Sequence, residues 1–112
     1  MTTRWEKGEE HIKLIVEGET TNVSVFKSAL EINLDGNILI DLSSMNQVDN
    51  DSIQFLNTFA IDHKAKHFSI IVATPHKLEG LSFEVVPSVT EARDMIFMEI
   101  TERELGFFGE EE

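Results

Sequence analysis

Two nearly unbroken apolar runs constrain what this chain can fold into. Ile38-Leu39-Ile40-Asp41-Leu42 is interrupted by a single aspartate, and Phe68-Ser69-Ile70-Ile71-Val72-Ala73-Thr74 runs until Pro75 stops it. Each is too short for a buried helix and rich in branched aliphatic residues, as expected of central strands covered on both faces. Between and around them the apolar period changes from two to between three and four. Thr20, Thr21 and Asn22 are good N-cap types, and Val23, Phe26, Leu30 and Leu34 follow at helical spacing until Asp35-Gly36 turns the chain. Ile53, Phe55, Leu56, Phe59 and Ala60 form a second helical face, with His63, Lys64, Lys66 and His67 in the last turns, where cations complement the helix dipole. Val89, Ala92, Ile96 and Ile100 form a third, flanked by Met95 and Met98.

The rest of the chain completes the order. Ile12, Leu14 and Val16 alternate with His11, Lys13 and Glu17 in a half-buried strand closed by Gly18, with Ile15 out of phase. His76 to Phe83 reads as a loop or short helix around Gly80, and Glu84-Val85-Val86 before Pro87 as a short edge strand. Ser88-Val89-Thr90-Glu91 has the form of a capping box. Strands alternating with helices predict an α/β domain with right-handed crossovers between parallel neighbours. The expected boundaries are a flexible N-terminus over residues 1–10, on which Trp5 is a possible anchor, one domain over 11–108, and a frayed acidic tail over 109–112.

Composition narrows the function. Nine Lys and Arg against 21 Asp and Glu leave a net charge of −12, which repels phosphate backbones and anionic membranes and lacks the basic footprint of nucleic-acid binding. The same charge favours solubility and association with a basic patch on a protein partner. Zero cysteines exclude a disulfide framework, a thiolate metal site and a cysteine nucleophile. No apolar run approaches the roughly 18 residues of a membrane span, and the first ten residues lack a signal-peptide core. A cytoplasmic, soluble domain is the expectation.

The chemistry is concentrated where the first apolar run meets the second helix. Asp41 ends the strand, a polar loop follows, and Asp49-Asn50-Asp51-Ser52 opens the helix. Asp51 is a good N-cap with Gln54 in the reciprocal position of a capping box. Asp41, Asp49 and Asp51 also form the kind of carboxylate set that binds Mg²⁺ in aspartate phosphoacceptors of the receiver type, with Lys77 following the next strand. That fold wants an acidic pair after its first strand, where this chain has only the scattered Glu17 and Glu19. His63 and His67 share a helical spacing but have no third ligand beside them. No nucleophile elbow, glycine-rich phosphate loop or tyrosine supports catalysis. No metal, no cofactor and no enzymatic activity are expected.

Three of these stretches together resemble the STAS domain of bacterial anti-sigma factor antagonists and of the cytoplasmic tails of sulfate transporters. Ile38-Leu39-Ile40-Asp41-Leu42-Ser43 with Val48-Asp49-Asn50-Asp51-Ser52-Ile53 is similar to the family's apolar strand and Ile-Asp-Ser-Ser-Gly-Leu loop. Phe68 to Ala73 is similar to its next strand, and Val86-Pro87-Ser88-Val89-Thr90-Glu91-Ala92 to the start of its last helix. The resemblance covers roughly residues 11 to 105. It implies a mixed four- to five-stranded sheet with helices packed mainly on one side.

It further implies a non-enzymatic regulatory module that binds a protein partner, such as an anti-sigma factor or a related serine kinase, in the regulation of transcription. The partner-binding switch loop would be Asp49, Asn50, Asp51 and Ser52. In the family the serine before the glycine is phosphorylated, and phosphorylation releases the partner. Here Asp51 stands at that position, Asn50 at the preceding serine and Ser52 at the glycine, while Asp49 keeps the family's aspartate. A serine kinase cannot phosphorylate Asp51, whose carboxylate carries about half the charge of a phosphate at the start of a helix. Asp51 is therefore either a plain cap or a fixed phosphomimetic, and Ser52 is the nearest hydroxyl. The receiver-type phosphoacceptor with Mg²⁺ and a STAS subunit of a transport complex are the alternatives. Leu105, Phe107 and Phe108 would either fold back on the sheet or form a patch for a partner or a second copy, giving a homo-oligomer.

Overall fold

The computed structural model describes residues 1–31, 35–78 and 80–109, with side chains through residue 105. Five strands and three helices follow in the order β1 (Thr2–Lys7), β2 (Ile12–Glu17), α1 (Val23–Leu30), β3 (Ile38–Asp41), α2 (Asn50–Ala65), β4 (Ile70–Ala73), β5 (Glu84–Val86) and α3 (Val89–Gly109). They form an α/β fold on one five-stranded sheet of order β1-β2-β3-β4-β5, antiparallel between β1 and β2 and parallel elsewhere.

The layering follows from handedness. The chain steps across β2, β3 and β4 in one direction, so right-handed crossovers place α1 and α2 on the same face. The connection from β4 to β5 also runs over that face, where Leu81 and Phe83 pack into the core with Leu14, Val16, Phe26, Ile40, Leu56 and Val72. Nothing obliges the helix after the last strand to follow. α3 takes the opposite face, burying Ala92 and Ile96 on Leu39, Ile71 and Ala73. This is why Ile38 to Ile40 and Ile70 to Ala73 are buried throughout and read as unbroken apolar runs.

Local chemistry sets the element ends. Asn22 caps α1 by accepting the Ser24 N–H at 2.9 Å. Ser88 caps α3, accepting the Glu91 N–H at 3.2 Å, but the Glu91 carboxylate takes the Ser88 hydroxyl at 3.3 Å rather than the Ser88 N–H, so the cap forms without the reciprocal half of a capping box. The segment before β5 is a loop held by Asn57, whose amide donates to Gly80 O at 3.1 Å and accepts the Ser82 N–H at 2.8 Å. Leu34, placed on the first helical stripe by its spacing, lies outside the described residues, as does the acidic tail beyond Gly109.

Two expectations are corrected. Residues 1–10 are not a flexible stretch: Thr2–Lys7 pair in full register with Ile12–Glu17, from Thr2 opposite Glu17 to Lys7 opposite Ile12. Trp5 packs on the core under α1, and Arg4 and Glu6 point to the other face. The alternation is easily missed because its outward positions, Thr2, Arg4 and Glu6, are polar or charged, and Lys7 on the Trp5 side is charged too. The second correction concerns His63, which is not an exposed cation complementing the end of α2. It is 3% exposed, stacks on Phe59 with ring centroids 5.4 Å apart, and donates Nε2–H to Gly36 O at 2.7 Å. Burial holds its pKa below the ordinary value, opposed by the bond to Gly36 and reinforced by Lys66.

Candidate functional site

The carboxyl ends of β2, β3 and β4 converge on one edge of the molecule, the usual location of binding sites in parallel sheets. Three connections meet there and are tied to each other. In the β3–α2 connection, Asn46 and Gln47 both donate backbone N–H to Glu19 O, at 3.1 and 2.9 Å, and Gln47 O accepts the Thr21 N–H at 3.1 Å. The Ser44 hydroxyl donates to Val16 O at 3.1 Å. From the β4–β5 connection, His76 donates Nε2–H to Met45 O at 2.7 Å, and Met45 itself is buried. The β3–α2 loop is thus held from both sides.

Asp41 does not face this loop as a free ligand. Its carboxylate accepts the Ser43 N–H at 3.0 Å and the Ser43 hydroxyl at 2.5 Å, closing a turn at the end of β3. Asp49 is the N-cap of α2, with extended backbone at φ −77° and ψ 157°. It forms a reciprocal pair with Thr21, whose hydroxyl donates to the Asp49 carboxylate and accepts the Asp49 N–H at 2.9 Å. Burial raises the Asp49 pKa, but the nearby Ser52 and Thr21 hydroxyls and the Ser52 N–H outweigh it and leave the carboxyl below its ordinary value. The Ser52 hydroxyl is completely buried and closes no well-aligned hydrogen bond, nor does its N–H cap squarely onto Asp49. Proximity to the carboxylate, rather than a formed bond, is what Ser52 contributes.

Asp51 is therefore not the N-cap. Asn50 is the first helical residue and Asp51 the second, two positions later than a capping box with Gln54 requires. Its carboxylate still sits in the first turn, where the helix dipole favours an anion. Asn50 and Asp51 are exposed while Ser52 points inward, so the four residues present two outward side chains and two inward ones. Asp51 also lines an open groove of about 430 Å³ between α1 and α2, together with Val23, Lys27, Gln54, Phe55 and Thr58.

Among the described residues, no three His, Asp or Glu side chains are arranged to hold a metal ion. Asp41 and Asp49 are each turned onto a neighbouring hydroxyl, His63 is buried and His67 is exposed at the end of α2 with φ 68°. Lys77 is exposed in the β4–β5 connection. Leu105 is exposed on α3, while the side chains of Phe107 and Phe108 lie outside the described part. Among the described residues no helix is long and apolar enough to cross a membrane. Thr21 and His76 are the site residues that sequence reasoning missed; their partners lie 28 and 31 residues away, and no local pattern announces such pairs.

The chain matches no protein-family model, and no curated protein is significantly similar to it.

Proposed function

We propose that the protein is a non-enzymatic regulatory module of the cytoplasm that binds a protein partner, in the manner of the anti-sigma factor antagonists its motifs resemble. One observation carries this reading. The strand–loop–helix stretch that bears the resemblance holds Asn50 and Asp51 outward on an otherwise pinned loop, and Asp51 opens directly onto the groove between α1 and α2. A rigid loop beside a partly apolar groove suits recognition of a folded partner with little ordering cost. The Asp41 and Asp49 carboxylates are engaged by the Ser43 and Thr21 hydroxyls, which favours binding over phosphoacceptor chemistry. On this reading the partner is an anti-sigma factor or related serine kinase, a step that rests on analogy.

Asp51 supplies a permanent charge of about −1 where phosphoserine would supply about −1.5 to −2. The domain is therefore held partway toward the released state of such a switch. The test is Asp51→Ser in a pair reconstituted with the serine kinase encoded nearest to this chain. Tighter binding, or a single phosphate added from Mg-ATP and seen by intact mass, is the expected result. Unchanged affinity together with no phosphate adduct would leave Asp51 as a helix-terminus charge only and remove the switch.

A further inference from the structure

α3 is held in two different ways along its length. Its first half buries Ala92 and Ile96 on Leu39, Ile71 and Ala73. Its second half is tied by polar bonds at the far rim of the sheet. The Ser69 hydroxyl donates to Glu99 at 2.6 Å, and Arg103 donates to Ser69 Oγ at 2.9 Å and to Asn37 Oδ1 at 3.3 Å. Asn37 directly precedes β3 and Ser69 directly precedes β4, so the part of α3 after Arg103 runs on past the start of the strands.

The outer side of the helix carries apolar side chains that nothing in the chain covers. Met98 is 59% exposed and Leu105 63%, two turns apart on one line, and Phe97 is exposed beside them. Between them the Thr101 hydroxyl is turned back on Phe97 O at 2.9 Å. Met98, Thr101, Glu102 and Leu105 stand at i, i+3, i+4 and i+7, the four corners of a hole that accepts one side chain of a facing helix. The flanks are acidic. Glu91, Asp94 and Glu102 are exposed on this side, and none forms an ion pair among the described residues. The two arginines of α3 are turned away from it: Arg103 is spent on Ser69 and Asn37, and Arg93 lines a cleft with Glu6 and Glu9 of the β1–β2 hairpin.

We propose that the outer side of α3 docks a basic amphipathic helix of a protein partner, with apolar side chains set between Met98 and Leu105 and Lys or Arg against Asp94 and Glu102. The charge selects this occupant. A second copy of the chain would lay carboxylates against carboxylates, whereas a basic helix meets complementary charge on both flanks of the apolar line. Met98 adds an adaptable contact, since an unbranched thioether fits varied shapes. The surface lies across the sheet from Asp51 and the α1–α2 groove, so it is a second contact that does not depend on the switch-loop reading.

The probe is a synthetic peptide of two Leu-Lys-Lys-Leu-Leu-Lys-Leu repeats, set against a scrambled peptide of the same composition. Each is titrated into the intact chain and followed by amide chemical shifts. Saturable shifts over residues 94–105, half-complete at or below about 100 μM, are expected, with the scrambled peptide at least about tenfold weaker. Met98→Gln with Leu105→Gln alters two exposed positions and no charge, so a loss of at least about tenfold reports the apolar contact itself. Asp94→Asn with Glu102→Gln should weaken binding and flatten its dependence on salt. Ile61→Gln, exposed on α2, should change nothing. Equal affinity in the Met98 and Leu105 variant, or shifts centred on the α1–α2 groove, would overturn the proposal. A dimer in sedimentation that the same variant dissolves would also overturn it, by giving the face to a second copy.

Discussion

Replacing Thr21 with valine keeps the shape of a residue that is 5% exposed and removes one hydroxyl. That hydroxyl does two things at once: it donates to the Asp49 carboxylate and accepts the Asp49 N–H. A hydrogen bond to a charged group contributes about 1.5–3 kcal/mol and a neutral one about 1 kcal/mol. Asp49 is only half-buried, so water compensates part of the loss and about 2–3 kcal/mol is expected. For a chain of this size that lowers Tm by about 10 °C. Thermal and urea unfolding followed by circular dichroism measure it.

Acid provides the control on the mechanism. The folded-state pKa of Asp49 lies below its ordinary value of 3.8, so its contribution is fully present above that value and disappears as pH falls through the folded one. The gap between wild type and Thr21→Val should therefore hold from pH 7 to 5 and narrow below pH about 4. A double-mutant cycle with Asp49→Ala should give a coupling above about 1 kcal/mol. A loss under about 0.5 kcal/mol, within the range of ordinary surface substitutions, would refute the pairing. So would a gap that stays constant down to pH 3.

His63, its pKa lowered by burial, should make stability fall as pH drops below 6.5, because the unfolded chain takes up the proton first. The urea midpoint of wild type should decline from pH 7 to 5 more steeply than that of His63→Gln; equal slopes would count against it. Glu10 sits at φ 64°, a strained position for a side chain, so Glu10→Gly should stabilise by about 0.5–1 kcal/mol in urea unfolding, and a loss would mean the turn does not hold that conformation. Ser69→Ala removes a buried hydroxyl that donates to Glu99 at 2.6 Å and accepts from Arg103 at 2.9 Å; a loss of about 2 kcal/mol is expected, with faster amide exchange in the second half of α3.

The sheet and its helices were legible because their signals are local. Ile38 to Ile40 and Ile70 to Ala73 are apolar since they are covered twice, and Ser88 with Glu91 caps α3 through residues three apart. What was not legible depends on residues far apart in sequence. β1 escaped notice because only Thr3 and Trp5 are drawn inward and every other position is polar or charged, which resembles a loose terminus until β2 is placed beside it. His63 looked like a helix-end cation because nothing near it in sequence reveals the Gly36 carbonyl, 27 residues away. The Asp49–Ser52 loop was found, but its internal roles were shifted by two positions. An acidic residue suits the N-cap and the first turn alike, and only the backbone at Asp49 decides between them.

The hairpin at the start of the chain also governs how copies of the molecule can meet. An open sheet has two rims whose unpaired backbone groups invite a strand from a neighbour. One rim here is β1, which carries Arg4, Glu6 and Lys7, and the other is β5, only three residues long and followed at once by Pro87. Charge guards the first and brevity the second, so growth of a continuous sheet from molecule to molecule is disfavoured. The large apolar side chains exposed among the described residues lie instead on helices, Ile61 on α2 and Phe97, Met98 and Leu105 on α3, away from both rims.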